Sequence, residues 1–306
     1  EAPGGALVHS EVSGCASLMF SNEQETFQAV RKLLSYLPQN NLEEPPVAAT
    51  QDAVNKRIQG LADLIPDSPN KPYDMRDIIR NVFDDGDFFE IQPLYAQNII
   101  TCFARIGGKT VGIIANQPKI MAGVLDINAS DKAARFIRFC DAFNIPLITF
   151  TDTSGYLPGV GQEHGGVIRH GAKLLYAYSE ATVPKITVIV RKAYGGAYIA
   201  MCSRHLGADI VFAWPSAEIA VMGPDGAANI IFKKEIEESQ APEETRKQKI
   251  EEYKANFANP YKAAMRGYVD DVIDPADTRI KLANALSVLA SKRESRPEKK
   301  HGNMPV

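Results

Sequence analysis

The sequence predicts an α/β fold with a core of parallel strands. From residue 123 onward, short apolar runs rich in β-branched residues alternate with stretches of helical periodicity. This alternation is typical of a parallel sheet covered by helices. Of the 306 residues, 45% are apolar and 23% are charged. The chain can therefore bury a large core, and its composition is not that of a disordered segment.

The N-terminal part of the chain predicts two helices separated by a linker. Residues 1–20 lack an initiator Met and the apolar core of a signal peptide, so we expect a fragment that begins inside a folded region. Residues 22–36 begin with a capping Asn22 and have helical spacing of apolar residues. Residues 38–72 are rich in proline and polar residues and predict a linker, with a short helix possible over 53–64. A second amphipathic helix is predicted over 73–82.

The middle of the chain predicts a hairpin followed by repeated helix–strand units. Strand-like runs cover 88–93, 99–107 and 110–116, and Gly107 and Gly108 between the last two runs indicate a tight turn. Beyond them, helices and strands are predicted to alternate. Strands are expected over 146–151, 185–190, 208–213 and 217–222, and helices over 130–143, 165–180, 195–204, 226–232, 233–256 and 277–291.

Charge and cysteine content exclude several classes of protein. The 34 Lys and Arg against 37 Asp and Glu give a net charge of -3, so no nucleic-acid partner is expected. No apolar run approaches the roughly 18–20 residues of a membrane helix. The cysteines are scattered without a CxxC pair, which favours a reducing compartment and argues against disulfides or a zinc site.

Two glycine-rich loops follow predicted buried strands. The first, TDTSGYLPGVGQ, contains Gly155, Gly159 and Gly161 just beyond the strand that ends near Asp152. Ligands of open α/β sheets bind at the carboxyl ends of strands. On spacing alone, this segment is equally consistent with an ordinary connecting loop.

The second loop, RKAYGGAYIA, runs from a strand into a predicted helix at Gly195, Gly196 and Ala197. The first N–H groups of a helix have no intrahelical partner, so those of Gly196 and Ala197 are candidates to bind an oxyanion. Tight packing between the strand and the helix is the alternative. A third strand–glycine–helix turn, near Gly223, is a candidate for the neighbouring wall.

Other polar residues predict structural roles. His164 and His170 are six residues apart, which does not suit two metal ligands on one helix face. His170 is expected to make structural hydrogen bonds, and Asp126 and Asp131 to act as capping or turn residues. The charged run 233–256 is interpreted as a solvated helical face or an insertion. Ser154 lacks the GxSxG context of a serine hydrolase.

Several long motifs together resemble one family. The segments GVLDINASDKAARFIRFCDAFNIPLITF, GYLPGVGQEHGGVIRHGAKLLYAYSEATVPK, RKAYGGAY and AWPSAEIAVMG are similar to the carboxyltransferase subunits of biotin-dependent acyl-CoA carboxylases. Propionyl-CoA carboxylase β subunits, methylmalonyl-CoA decarboxylase α subunits and the methylmalonyl-CoA subunit of transcarboxylase resemble it equally. The similarity extends to the C-terminal KKHGNMPV.

The resemblance implies a crotonase-like fold with βα superhelical repeats. It implies that residues 1–37 are the tail of an N-terminal crotonase-like domain and that 38–72 is the linker. Residues 73–306 would then be the C-terminal domain, which contributes the biotin half of the active site. Because the other half comes from the N domain of a second subunit, this chain alone is expected to be inactive.

The resemblance also implies the chemistry. Biotin attached to a partner carrier protein delivers the carboxyl group, an acyl-CoA thioester receives it at its α-carbon, and no bound metal is expected. Carboxybiotin releases CO₂, the biotin nitrogen takes the α-proton, and the N–H groups of Gly196 and Ala197 hold the ureido oxygen. The other residues implied to contact biotin or acyl-CoA are Gly155, Tyr156, Leu157, Gly159, Gly195, Tyr198, Ile199 and Gly223.

Three functions remain open at this stage. The first is carboxylation of propionyl-CoA, with a biotin carboxylase and a biotin carboxyl carrier protein as partners in a dimer-to-hexamer assembly. The second is the reverse half-reaction in a sodium-pumping methylmalonyl-CoA decarboxylase with a membrane subunit. The third is a crotonase-like CoA-ester hydratase or hydrolase, which needs a carboxylate acid or base. Ile199, where many propionyl-preferring relatives carry Asp, leaves the acyl group open. A cytoplasmic location is expected, or the mitochondrial matrix in a eukaryote.

Overall fold

An eight-stranded mixed sheet organises the protein. The computed structural model describes residues 4–305. The sheet order is β1-β2-β3-β4-β5-β6-β8, and β7 pairs with the far end of β5. Pairing is antiparallel from β1 to β3 and parallel from β3 to β8. The strands are β1 (Phe88–Ile91), β2 (Ile99–Ile106), β3 (Lys109–Asn116), β4 (Leu147–Thr153), β5 (Lys185–Tyr194), β6 (Ile210–Ala213), β7 (Glu218–Ala220) and β8 (Asp271–Val272).

Twelve α-helices of the described residues surround or extend the sheet. They are α1 (Ala6–Glu11), α2 (Glu23–Leu34), α3 (Met75–Val82), α4 (Ile127–Ala142), α5 (Val160–Gly165), α6 (Val167–Glu180), α7 (Gly195–Ala200), α8 (Pro224–Ile231), α9 (Lys233–Glu237), α10 (Pro242–Asn256), α11 (Pro260–Met265) and α12 (Thr278–Val288). Short 3-10 helices lie between them. The predicted α/β fold with parallel pairing is therefore confirmed.

The two faces of the sheet carry separate apolar cores. Helices α4 and α6 cover one face, where Phe136 and Ile137 of α4 are buried. Helices α3 and α12 cover the other face, where Ile78 and Ile79 are fully buried. Because β4 and β5 lie between both helical layers, every residue in these strands is buried. Their continuous apolar sequences follow from burial on both faces.

The hairpin predicted at Gly107 and Gly108 is confirmed. Ile106 pairs with Lys109 across a two-residue turn, and φ is +58° at Gly107 and +78° at Gly108. Positive φ at both central residues favours glycine there. The buried carboxylate of Asp84 accepts hydrogen bonds from both glycine N–H groups, at 3.1 and 2.7 Å. Asp84 also pairs with the buried Arg279.

Residues 38–72 run across the sheet without regular strands. The short helix predicted over 53–64 was wrong except for its last turn, the 3-10 helix Leu61–Leu64, which follows Gly60 at φ +75°. Ile58 and Leu61 are buried in the core beside α3. Apolar contacts therefore hold this proline-rich segment to the fold.

Three predicted helices differ from the structure for local reasons. The helix predicted over 165–180 begins at Val167, because Gly166 at φ +88° separates it from the preceding α5, which the sequence did not predict. The helix predicted over 195–204 ends at Ala200, because Cys202 has φ +54°. The charged helix predicted over 233–256 is divided before Pro242, which begins α10.

Helix α2 leaves its apolar side largely exposed. Asn22 caps it as predicted, since its side chain accepts a hydrogen bond from the N–H of Glu25. Phe27, Val30 and Leu34 are nevertheless exposed, and Ala29 is the buried residue of the helix.

Candidate functional site

The two glycine loops follow the carboxyl ends of the adjacent strands β4 and β5. The loop after β4 is held by Leu125, whose N–H donates to the carbonyl of Gly155 at 3.0 Å and whose carbonyl accepts from the N–H of Leu157 at 2.7 Å. Gly155 and Gly159 have φ of +146° and +129°. Both angles favour glycine, so the backbone path of this loop depends on these two residues.

A sharp turn between β5 and α7 is built on Gly195. Its φ is +57°, and a Cβ there would lie 3.0 Å from the carbonyl oxygen of Val221. No side chain caps this helix. Gly196 is exposed at the helix start and Ala197 is fully buried behind it. The first turn of α7 therefore presents backbone donors that no capping side chain occupies.

Tyr156 brings the two loops together. A Cβ on Gly196 would lie 3.8 Å from Cδ2 of the Tyr156 ring, and one on Gly171 of α6 would lie 3.0 Å from its hydroxyl. The ring therefore packs between the start of α7 and α6. Burial raises the pKa of Tyr156 to about 12. Its hydroxyl is thus protonated near neutral pH.

A cavity of about 890 Å³ opens beside the start of α7. Four of the predicted site residues line it, namely Gly195, Gly196, Tyr198 and Ile199. Its remaining lining includes residues that the sequence did not indicate: His205, Tyr253, Phe257, Lys262, Arg266 and Tyr268. The lining contains neither Asp nor Glu among the described residues.

Tyr198 is the buried polar residue of this cavity. It is 8% exposed, and within residues 4–305 its hydroxyl has no hydrogen-bond partner. Burial raises the pKa of Tyr198 to about 12, so the hydroxyl remains a donor near neutral pH. The ring of His205 lies edge-on to it at 6.1 Å and packs on Tyr268 at 4.8 Å. Buried polar groups without a partner are rare in folded proteins, which makes this hydroxyl notable beside the cavity.

Two cations lie four residues apart at the cavity, Lys262 on α11 and Arg266 directly after it. Lys262 and Arg266 are exposed, and neither side chain makes an ion pair or a hydrogen bond with another described residue. Positive charge on an otherwise apolar wall suits an anionic ligand.

The other predicted site residues lie around the cavity and do not line it. Ala197 is behind the helix start, and Gly155, Tyr156, Leu157 and Gly159 belong to the loop after β4. Gly223 precedes α8, and a Cβ there would lie 3.1 Å from the ring of Tyr194. The hydroxyl of Tyr194 donates to Glu218. The structure thus packs Gly223 against the last residue of β5.

The polar residues assigned structural roles largely have them. His170 contacts the carboxylate of Asp131 at 2.8 Å, and Lys173 contacts the same carboxylate at 2.9 Å. Asp126 caps α4 by accepting from the N–H of Ala129. The prediction that Asp131 is a capping or turn residue was wrong, because it joins α4 to α6.

The charged run 233–256 contributes a wall of the cavity. Most of this run is exposed, as the interpretation as a solvated face predicts, but Ile250 and Tyr253 are buried. With Phe257 they recur at three- and four-residue spacing, a helical signal that could have identified this wall.

The described residues give no sign of a metal centre or a membrane span. Residues 4–305 contain no group of three or more His, Cys, Asp or Glu side chains placed to hold a metal ion. Over the same residues, no helix combines the length and hydrophobicity needed to cross a membrane.

Comparison with known proteins identifies close relatives. The carboxyl transferase domain model matches residues 1–304. The methylmalonyl-CoA decarboxylase subunit alpha of Propionigenium modestum is 58% identical over 303 residues, covering 99% of this chain and 59% of that protein. The methylmalonyl-CoA carboxyltransferase 12S subunit of Propionibacterium freudenreichii subsp. shermanii is 57% identical over 302 residues, covering 99% of this chain and 57% of that protein.

A solved structure has the same architecture. The crystal structure of transcarboxylase 12S, described as a hexamer with methylmalonyl-coenzyme A and methylmalonic acid bound, gives a TM-score of 0.95 at 57% identity. The match covers 99% of this chain and 58% of that chain. It confirms the predicted crotonase-like fold. The chain spans about three-fifths of the length of these relatives.

Proposed function

The chain belongs to the carboxyl transferase domain family, and from this premise we propose that the protein containing it transfers a carboxyl group between biotin and an acyl-CoA. The biotin is attached to a carrier protein. The acceptor is the α-carbon of a short-chain thioester such as propionyl-CoA, and the product is methylmalonyl-CoA. The names of the 58% and 57% identical relatives support this choice of substrate.

The observation that carries the proposal is the start of α7 beside the cavity. The N–H groups of Gly196 and Ala197 have no capping side chain, and Tyr198 adds a buried hydroxyl without a partner among the described residues. Donors held in place before reaction stabilise negative charge as it develops. We assign Gly196 and Ala197 to the site that receives such an oxyanion.

The cavity fits the ring system of biotin. Its lining is mainly apolar, and the helix start supplies polar contacts. When bound, biotin supplies a ureido group that carries the carboxyl group and whose oxygen takes up negative charge. Gly195 and Gly196 allow close backbone approach, Ile199 excludes water, and Lys262 and Arg266 attract a carboxylate.

Ile199 is proposed to shape the space for the acyl group. It lines the cavity beside the helix start and is 38% exposed there. An apolar branched side chain at this place favours an apolar acyl chain. Gly155, Tyr156, Leu157, Gly159 and Gly223 support the same site by fixing the surrounding loops.

We propose the following division of the chain. Residues 73–306 form the domain that supplies the biotin half-site, 38–72 connect it, and 1–37 belong with a preceding crotonase-like domain. Because the family relatives are longer, we infer that acyl-CoA also contacts residues outside this chain. The hexameric transcarboxylase 12S supports a homo-oligomer, with a biotin carrier protein as partner.

The reverse direction is the second candidate. The 58% identical decarboxylase alpha subunit favours it as strongly as the carboxylase relatives favour the forward reaction. A biotin carboxylase partner would identify the forward direction, and a membrane decarboxylase subunit the reverse. A hydratase or hydrolase is less supported, since the described cavity lining offers no carboxylate acid or base.

The proposal is tested by carboxyl exchange. The full-length protein is incubated with methylmalonyl-CoA labelled in its free carboxyl group, with and without free biotin. We expect biotin-dependent formation of labelled carboxybiotin and unlabelled propionyl-CoA. Release of free CoA without biotin would instead support a hydrolase. The 306-residue chain alone, as a control, is expected to transfer little or no label.

A further inference from the structure

The ladder between β4 and β5 is interrupted at Asp152. Pairing runs in register from Leu147 with Lys185 to Thr151 with Ile189, and resumes with Thr153 opposite Ala193. Strand β5 therefore has two extra residues opposite Asp152. Such bulges leave backbone groups unpaired and redirect the strand, and they are frequent next to active sites.

The side chain of Asp152 fills this interruption. Its Oδ1 accepts from the backbone N–H of Lys192 at 3.1 Å. Its Oδ2 accepts from Nε of Arg191 at 2.9 Å and from the hydroxyl of Tyr73 at 2.8 Å. The Asp152 side chain is fully buried, so these contacts are shielded from water.

Arg191 extends the network to the segment before α3. Its guanidinium donates to the carbonyls of Ser68 at 3.2 Å and Lys71 at 3.1 Å. It also lies over the ring of Tyr73 at 4.9 Å. The interruption in β5 is thus anchored on residues far away in the sequence.

This network lies near the ends of β4 and β5, where the two glycine loops begin. Beyond the interruption, β5 pairs with β7, from Lys192 opposite Glu218 to Tyr194 opposite Ala220, and then enters Gly195. On the other side, the backbone N–H of Asp152 donates to the side chain of Asn116 at 3.1 Å. The buried carboxylate of Asp152 therefore fixes the position at which β5 ends and α7 begins.

We propose that Asp152 is a positioning residue for the backbone donors of Gly196 and Ala197. It is fully buried, does not line the cavity and acts through the bulge of β5. Its catalytic consequence rests on the proposed function, but its effect on the backbone of α7 does not. A misplacement of about 1 Å at a reacting group can lower the rate about 100-fold.

The chain provides a matched control in Asp84. The Asp84–Arg279 pair is equally buried, with side chains 3% and 1% exposed, and its carboxylate also accepts from two backbone N–H groups. It lies at the hairpin, at the opposite end of the eight-residue β3. At the usual rise per residue of a β-strand, that end of β3 lies roughly 25 Å from Asn116.

The experiment compares Asp152→Asn, Asp84→Asn and the parent in the full-length protein. Amide hydrogen exchange of residues 193–200 is measured, together with kcat and KM for methylmalonyl-CoA with free biotin. For Asp152→Asn we expect faster exchange in 193–200 and a fall in kcat of about tenfold or more with little change in KM. For Asp84→Asn we expect parental exchange in this segment and parental kcat per folded molecule.

Two outcomes would overturn the proposal. One is unchanged exchange of residues 193–200 in Asp152→Asn, and the other is an equal fall in kcat per folded molecule in both variants. If Asp152→Asn does not fold, Tyr73→Phe removes one hydrogen bond and keeps the ion pair, and the same shifts are expected at smaller size. Parental exchange and kcat in folded Tyr73→Phe would then refute it. If the parent lacks carboxyl exchange, the proposed function fails and the hydrogen-exchange comparison still decides the role of Asp152.

Discussion

Gly195 and Gly196 are adjacent in sequence, but the structure predicts opposite responses to a methyl group. Gly195 has φ +57°, and its Cβ would lie 3.0 Å from the carbonyl oxygen of Val221. Gly196 lacks the positive φ, and its Cβ would meet Tyr156 at an ordinary 3.8 Å. Gly195→Ala therefore strains the turn, whereas Gly196→Ala replaces a helical glycine with a better helix former.

The cost at Gly195 follows from its backbone conformation. A left-handed alanine costs about 1–2 kcal/mol, and the close carbonyl contact adds to it, so we expect a loss of about 2 kcal/mol in the free energy of unfolding. For a chain of this size, that loss lowers Tm by roughly 4 °C. Gly196→Ala is expected to leave Tm within about 1 °C or to raise it slightly.

Thermal unfolding of both variants of the chain, with kcat of both in the full-length protein, tests this reasoning. Gly195→Ala must also shift the Val221 carbonyl or the turn itself, so kcat is expected to fall by about tenfold or more. Equal losses of stability in the two variants would refute the conformational requirement at Gly195. A Gly195→Ala protein with parental Tm and kcat would refute both the expected strain at Gly195 and its expected effect on catalysis.

Three further substitutions have definite expected outcomes. Ala197→Pro in the full-length protein removes one backbone donor in the first turn of α7 and should lower turnover by about 100-fold or more; a folded variant with parental turnover would remove Ala197 from the site. Ile199→Asp should change kcat/KM unequally for acetyl-, propionyl- and butyryl-CoA, within about 10–200-fold; one common factor for all three would show that Ile199 does not read the acyl chain. Burial lowers the pKa of Lys132 from 10.5 to about 8, so the unfolded state binds more protons between these values and stability rises with pH there. Lys132→Met should remove up to about 3 kcal/mol of that rise, measured by urea unfolding at pH 7.5 and 10; identical pH profiles would contradict the lowered pKa.

The elements that the sequence predicted well are those with strong local signals. Strands β4 and β5 are continuous apolar runs, and α4 has a buried stripe at helical spacing below its Asp126 cap. The Gly107 and Gly108 hairpin depends on two adjacent positive φ angles, which their sequence indicates directly. Local sequence determines each of these features, so no knowledge of tertiary contacts was needed.

The features that the sequence missed depend on tertiary contacts. Strand β8 has two residues and is a strand only because it pairs with β6. The bulge opposite Asp152 depends on Tyr73 and Arg191, which are 118 positions apart in the chain. The cavity wall from Tyr253 to Tyr268 was not predicted, because the high charge of α10 indicated a solvent-exposed helix. The first two features follow from packing, which periodicity does not report, whereas the spacing of Ile250, Tyr253 and Phe257 does indicate part of the cavity wall.

The donors around the cavity suit a transient negative charge better than proton removal by a side chain. Burial raises the pKa of both Tyr156 and Tyr198 to about 12, so these hydroxyls remain neutral. The described cavity lining has no carboxylate to act as a base. Neutral donors and helix N–H groups in an apolar setting interact strongly with an oxyanion, because little water competes and the donors do not have to reorient. The chemistry proposed for this cavity therefore depends on where β5 and the loop after β4 place the backbone. For this reason, substitutions of Gly195 and Asp152 test it most directly.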